Sequence, residues 1–178
     1  MPGRIKLVAL DLDGTLWDCE DVSLLTPPFR SIGEGVAADS EGRLVRVREG
    51  VKEFLKWCRS KGLLLATLSW NDPAKALAAL KALDLDKYFH YHAIEYHPRK
   101  HEMLAKLLTK LRGEGMDIRP EEVIYVDDRN LHLKDIRERV GAVRFVRFGR
   151  DVKDFRKLRD LLEELMAPAK NMNSSKSR

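Results

Sequence analysis

The chain has 178 residues, of which 44% are hydrophobic, and a formal net charge of +5. That size and apolar content suit one globular domain with a single core and exclude a disordered chain. No apolar run approaches the roughly 20 residues of a bilayer span, and no cleavage site of small residues follows the N-terminus, so a cytoplasmic protein without a membrane partner is expected.

Ile5, Leu7, Val8, Ala9 and Leu10 predict a first strand over 5–10, which the chain leaves through "DLDGT", with Asp11 and Asp13 one residue apart. Residues 18–49 carry prolines, glycines and the turn "DSEG" between short alternating runs. They predict a β-hairpin flap over the strand ends, too short to be a separate cap domain. "VKEFLKWCRSKG" (51–62) predicts an amphipathic helix burying Val51, Phe54, Leu55 and Cys58, with Gly62 as its stop. "LLLATLS" (63–69) is the unbroken apolar run of a strand covered on both faces. Asp72 as N-cap and Pro73 in the first turn open a helix over 71–83. "HYHAIEY" (90–96) predicts a strand and "PRKHEMLAKLLTKLRG" (98–113) a helix. "EVIYVDD" (122–128) predicts a buried strand, followed by a helix over 131–141, a strand over 143–148 and a closing helix over 151–166. The polar stretch 168–178 predicts a disordered tail.

This alternation is that of an α/β fold with a doubly wound, mainly parallel sheet. In such sheets a ligand binds beyond the carboxyl ends of the strands, near a topological switch point. Those ends collect Asp11 and Asp13, then Ser69, then Asp127 and Asp128, with Lys100 just after the third strand. Like charges about 5 Å apart repel by roughly 3 kcal/mol at an effective dielectric near 20. Acids converging in one crevice therefore require protonation or a divalent cation, and an all-oxygen set favours magnesium over zinc. Asp11 would point into the crevice as metal ligand and nucleophile. Asp13 would offer its backbone carbonyl to the metal and its carboxyl to proton transfer, while Gly14 and Thr15 permit and brace the turn. Ser69 and Lys100 read as phosphate holders. Taken singly, each acid pair could be a solvated turn, Ser69 a helix-entry residue and Lys100 a surface lysine.

"DLDGT", the "LS" before Trp70, Lys100 and "VIYVDD" together resemble the four motifs of the haloacid dehalogenase superfamily of phosphotransferases. "DLDGTLW" with Trp17 and the "PPF" at 27–29 resemble its magnesium-dependent phosphatase-1 family, over roughly residues 4–165. The resemblance implies a capless Rossmann-like phosphatase domain over 1–167, with 18–49 as the flap. It also implies a Mg2+-dependent hydrolase acting on phosphomonoesters, either phosphotyrosine in a phosphoprotein or a small sugar phosphate, through an aspartyl-phosphate intermediate. In that scheme Asp11 is nucleophile and metal ligand, and Asp13 is general acid/base. Ser69, Trp70 and Lys100 bind the phosphate. Asp128 is the direct metal ligand, and Asp127 acts through water or Lys100. Two departures fall at the substrate edge: "SWND" lacks an expected arginine and small hydroxyl residue, and Arg129 replaces an expected acid.

Two rival readings use the same residues: a phospho-accepting receiver-like regulatory domain, and a catalytically silent phosphate-binding protein. An acid two residues past the acceptor, Asp13, speaks against the first. Nucleic acid is not an expected partner, because the basic residues are scattered among 28 acids. Cys19 and Cys58 have neither metal-ligand nor disulfide-framework spacing and are expected to be reduced. His90, His92, His97 and His101 cluster in sequence. A zinc site, the rim of the substrate entrance and plain surface positions all remain open for them, although Pro98 places His97 outside the helix that His101 would share.

Overall fold

A computed structural model describes residues 3–168. In chain order the strands are β1 (Leu7–Leu10), β2 (Arg30–Gly33), β3 (Val36–Ala38), β4 (Leu44–Arg46), β5 (Leu64–Trp70), β6 (Tyr91–Glu95), β7 (Val123–Asp127) and β8 (Arg144–Arg147). The helices are α1 (Val51–Ser60), α2 (Pro73–Ala82), α3 (Lys100–Gly113), α4 (Leu133–Arg139) and α5 (Phe155–Met166). Five strands form one sheet in the order β6-β5-β1-β7-β8, and every neighbouring pair is parallel. The chain winds outward from β1 to β5 and β6, then returns to the other side of β1 for β7 and β8. The carboxyl end of β1 is thus the switch point, where connections leave in opposite directions and a crevice must open.

Period-two alternation assigns each central strand two buried faces. Val8 and Leu10 of β1 and Ile124 and Val126 of β7 join one apolar cluster, with Phe54 and Leu55 of α1, Leu80 of α2 and Phe155 and Leu158 of α5. Leu7 and Ala9, with Val123 and Tyr125, face the other cluster, built with Met103, Leu104 and Leu107 of α3 and Ile136 of α4. The capping carboxylate of Asp72 accepts from the backbone N–H groups of Ala74 and Lys75, with Pro73 beside it, as the sequence predicts for α2. The predicted start of α3 at Pro98 moves to Lys100, and α4 is shorter than expected. Among the described residues no helix is long and apolar enough to cross a membrane. Apart from Pro168, the tail expected at 168–178 lies outside the described residues.

Within 18–49 the structure has a three-stranded antiparallel sheet, β2-β3-β4, where the sequence suggested a two-stranded hairpin. Its strands have only three or four residues, too few for alternation to register as separate elements. Ala37 and Val45 belong to the same apolar cluster as β1, so this small sheet shares the core of the large one. Its turn is organised by Asp39, whose carboxylate accepts from the N–H groups of Thr26 (2.9 Å), Glu41 (3.0 Å) and Arg43 (2.8 Å) and from Arg43 Nε (2.9 Å). Burial alone would raise the Asp39 pKa, but these bonds favour the charged form more and hold it down to about 2.

The folded pKa lies below the unfolded value of about 3.9. The stabilisation is therefore fully present above about pH 4 and is lost as pH falls towards 2. Asp39→Asn is expected to lower the unfolding free energy at neutral pH, and its deficit against wild type should shrink as pH is lowered from 5 to 3. Urea unfolding of both proteins at the two pH values checks this; an equal deficit at both would contradict the charge-based account.

Candidate active site

The turn after β1 is built from a few backbone bonds. The N–H of Asp11 still donates to the Val126 carbonyl (2.9 Å), so its side chain leaves from the sheet's own register. The Leu12 carbonyl then accepts from Thr15 N (3.0 Å) and Leu16 N (2.9 Å), closing a tight turn through Gly14 at φ 69°. A Cβ at Gly14 would lie 2.6 Å from Asp128 Oδ2, so only glycine allows the β1 turn this close to the residue after β7. The Thr15 hydroxyl ties the two turns together. It lies 3.2 Å from Asp11 Oδ2 and 3.3 Å from Asp128 Oδ1, with one proton to offer them, and accepts from Asp128 N at 3.0 Å.

Asp11, Asp127 and Asp128 thereby converge, each offering an oxygen within 4.8 Å of the others. Lys100, the first residue of α3 and only 2% exposed, places Nζ 2.9 Å from Asp11 Oδ1 and 2.7 Å from Asp127 Oδ2. Burial opposes the lysine's charge, but the two carboxylates outweigh it and its pKa lies above the ordinary value. Asp127 is likewise disfavoured by burial but is held below the usual carboxylate range by Lys100, by the Tyr125 hydroxyl and by the N–H of Arg129. Asp11 fares differently. Burial raises its pKa well above the usual range, Lys100 lowers it only in part, and Asp127 and Asp128 raise it further. One ammonium supports one of these buried acids and leaves the other without its counter-charge. His132 adds none, because burial, followed by the charge on Lys100, lowers its pKa to about 4.

Asp13 occupies a separate niche. One oxygen accepts from Trp17 Nε1 (2.8 Å) and Val22 N (3.1 Å), and the other from Asn71 Nδ2 (2.7 Å). These bonds favour the anion, but desolvation outweighs them and raises its pKa to about 6. The carboxyl is thus oriented by three donors and still able to hold a proton near neutrality. Trp17 is itself fixed by an antiparallel bridge to Val47, just beyond β4, which links Asp13 to the small sheet.

Asp11, Asp13, Trp70 and Lys100 line a crevice of about 360 Å3 with Glu20, Asp21, Ser23, Asn71, Tyr96 and Arg129. Asp127 and Asp128 stand behind it, against Lys100 and Thr15. Ser69 is buried, and its hydroxyl lies 3.5 Å from Asn71 Nδ2. No residue of β2, β3 or β4 lines the crevice; of the 18–49 segment only Glu20, Asp21 and Ser23 do. A larger cavity of about 610 Å3, bordered by α1 and α5, contains none of the converging acids. Sequence reasoning missed Asn71 and Tyr125 as partners of Asp13 and Asp127, and Tyr96 as a wall of the crevice. The "SWND" departure was the available signal for Asn71.

The histidines do not form a metal group. His90 Nδ1 accepts from Leu65 N (3.0 Å), His92 lies between Thr67 and Asp86, and His97 Nδ1 accepts from Arg99 N (3.1 Å). None of the four lines the crevice. His90, His92 and His97 serve local backbone and side-chain contacts around β6, away from the crevice.

Residues 4–157 match the protein family described as Acid Phosphatase. Human "Magnesium-dependent phosphatase 1" is 30% identical over 132 residues, covering 74% of this chain and 72% of that protein. A HAD-superfamily hydrolase, subfamily IA, from Geobacter sulfurreducens superposes with TM-score 0.62 at 19% identity, over 88% of this chain and 99% of that one. The N-terminal part of a Bacteroides fragilis protein, containing a phosphatase domain complexed with Mg, superposes with TM-score 0.58 at 17% identity. It matches 92% of this chain, which spans 40% of that one. At these identities the two structures speak for the fold, while the family match and the human relative speak for kinship. The chain belongs to the acid phosphatase family and is a phosphatase, with the fold of haloacid dehalogenase superfamily hydrolases.

Proposed function

We propose that this phosphatase is magnesium-dependent and hydrolyses phosphomonoesters, phosphotyrosine in a phosphoprotein or a sugar phosphate, through an aspartyl phosphate on Asp11. The observation that carries the proposal is the convergence of Asp11, Asp127 and Asp128 on one another, with a single buried lysine that contacts Asp11 and Asp127. Three carboxylates against one ammonium leave a deficit of two positive charges, which a divalent cation matches. The donors are hard oxygens, suited to magnesium, and the human relative is magnesium-dependent by name. Asp11 and Asp128 would hold the ion through their carboxylates and Asp13 through its backbone carbonyl, with Asp127 kept outside by Lys100 and Tyr125. When bound, magnesium supplies the positive charge that keeps Asp11 ionised and offsets the charge of the phosphoryl oxygens.

In the first step an Asp11 carboxylate oxygen attacks phosphorus and the bond to the leaving oxygen breaks. Asp13, raised towards neutrality by its burial, gives that oxygen its proton. In the second step Asp13 takes a proton from water as the water attacks the phosphoaspartate, releasing inorganic phosphate and restoring Asp11. Lys100 orients Asp11 and faces the phosphoryl oxygens, as would the Ser69 hydroxyl, while Trp70 closes the phosphate site from the exposed side. Trp17 and Asn71 keep Asp13 directed at the leaving oxygen.

Asp11→Asn is expected to abolish steady-state hydrolysis of a simple aryl phosphate while leaving the circular dichroism spectrum unchanged; a fully active variant would overturn the nucleophile assignment. Asp13→Asn should lower kcat by about 10²–10⁴-fold, the range of general acid–base catalysis. Magnesium should also stabilise the folded chain, by about 2.7 kcal/mol at a hundredfold excess over its dissociation constant. In thermal melts that gain should be much smaller for Asp128→Asn, and chelation should remove both the gain and the activity.

A further inference from the structure

The crevice has unlike walls. In the sheet, β5 and β6 lie on one side of β1 and β7 on the other. Trp70, at the end of β5, and Tyr96, just past β6, therefore stand across Asp11 from Arg129, which follows β7, and all four line the crevice. Trp70 is 45% exposed and Tyr96 72%, large apolar surfaces that a leaving group laid against them would remove from water. Arg129 is exposed on the opposite wall, its backbone N–H fixed on Asp127 Oδ1 at 3.0 Å. Among the described residues its guanidinium has no carboxylate within ion-pair distance. The other cation of the crevice, Lys100, is already engaged by Asp11 and Asp127. Of the remaining acids in the lining, Asp13 is held by Trp17, Val22 and Asn71, and Asp21 by Ser23. Glu20 is exposed and makes no ion pair with Arg129.

Arg129, a lining residue whose guanidinium has no counter-ion, brings a planar donor for a second oxyanion to a site that receives one phosphate. We propose that Arg129 selects phosphomonoesters whose leaving group carries a further anionic group, a carboxylate or a second phosphate, with the body of the leaving group resting on Trp70 and Tyr96. This rests on the phosphatase reading above and narrows its substrate class. Arg129 acts on the part of the substrate that departs, so its effect falls on discrimination between leaving groups.

The test uses two aryl phosphates that differ in one ring substituent, a carboxylate in one and a carboxamide in the other, with wild type, Arg129→Met and Arg129→Lys. The readout is the ratio of kcat/KM for the anionic over the neutral substrate, compared between enzymes so that each substrate's intrinsic reactivity cancels. The ratio should fall by about five- to tenfold in Arg129→Met, the scale of one solvent-accessible charge-assisted contact. It should be partly kept in Arg129→Lys and should decline in wild type as salt is raised. A third substrate with a second phosphate in place of the carboxylate separates the two oxyanions, and a loss confined to either one supports the proposal and names the group. Ratios unchanged for both anions would overturn it while leaving the phosphatase reading in place. Failure of wild type to hydrolyse any of the three would overturn that reading and this inference together.

Discussion

An excess of buried negative charge at the carboxyl end of β1 is the constraint on which the rest of the molecule depends. Lys100 is 2% exposed, and its ammonium spans Asp11 and Asp127. An ion so placed is tolerable only while both partners are there, because removing one member of a buried pair leaves the other charge uncompensated. The position of α3 follows. Met103, Leu104 and Leu107 seat the helix on one face of the sheet, and that seating delivers its first residue between β1 and β7. Packing and electrostatics thus fix the same point from two directions. The lysine satisfies Asp127 and leaves Asp11 short of positive charge, so in the proposed mechanism the folded chain itself prepares the place for a divalent ion.

The same point demands an unusually close approach of two turns. β1 and β7 are neighbours, so the residues after them must share the space above a single interstrand gap. Gly14 gives up its side chain to make room for the Asp128 carboxylate, and Thr15 spends its one hydroxyl joining that carboxylate to Asp11. A larger residue at position 14 would separate the acids even if every strand stayed in register. The small sheet contributes at one remove, since Val47 holds Trp17 and Trp17 holds Asp13.

How much of this was legible in the sequence follows from what each feature depends on. The central strands are buried on both faces, so they appear as apolar runs, and the acids that end them stand out because no residue of 7–10, 63–69 or 123–126 is charged. The order of those ends is a property of topology, and parallel α/β connections leave few alternatives. The β2-β3-β4 sheet was read as a hairpin because strands of three or four residues carry too little period to be counted separately. It does not line the crevice, because its apolar side is turned to the core through Ala37 and Val45. Asn71 and Tyr125 went unnoticed for a different reason. Their value lies in bonds to Asp13 and Asp127 across the fold, and a polar residue beside a strand gives no sign of which distant carboxyl it will meet. The histidines stand close in sequence, yet only His92 lies in β6, and His90, His92 and His97 each bond a different neighbour, so a cluster along the chain is not a metal group in space.

Asp11 and Asp13 make the last point, since they are the same residue type on one turn and are assigned opposite tasks. A nucleophile must be an anion and a proton donor must not be, so sequence spacing alone cannot separate them. Their surroundings can. Asp11 lies among other acids and one ammonium, where burial raises its pKa, and a bound cation would favour the anion that the proposed attack requires. Asp13 faces Trp17, Asn71 and the backbone of Val22, all neutral donors, which orient it without compensating its burial. Its raised pKa is therefore a consequence of desolvation, and the added cation acts first on its neighbour. Leu12, which separates the two, is fully buried, so the turn cannot rotate to exchange their environments. One pinned leucine keeps two identical side chains in two electrostatic settings, and the proposed two-step chemistry requires that difference.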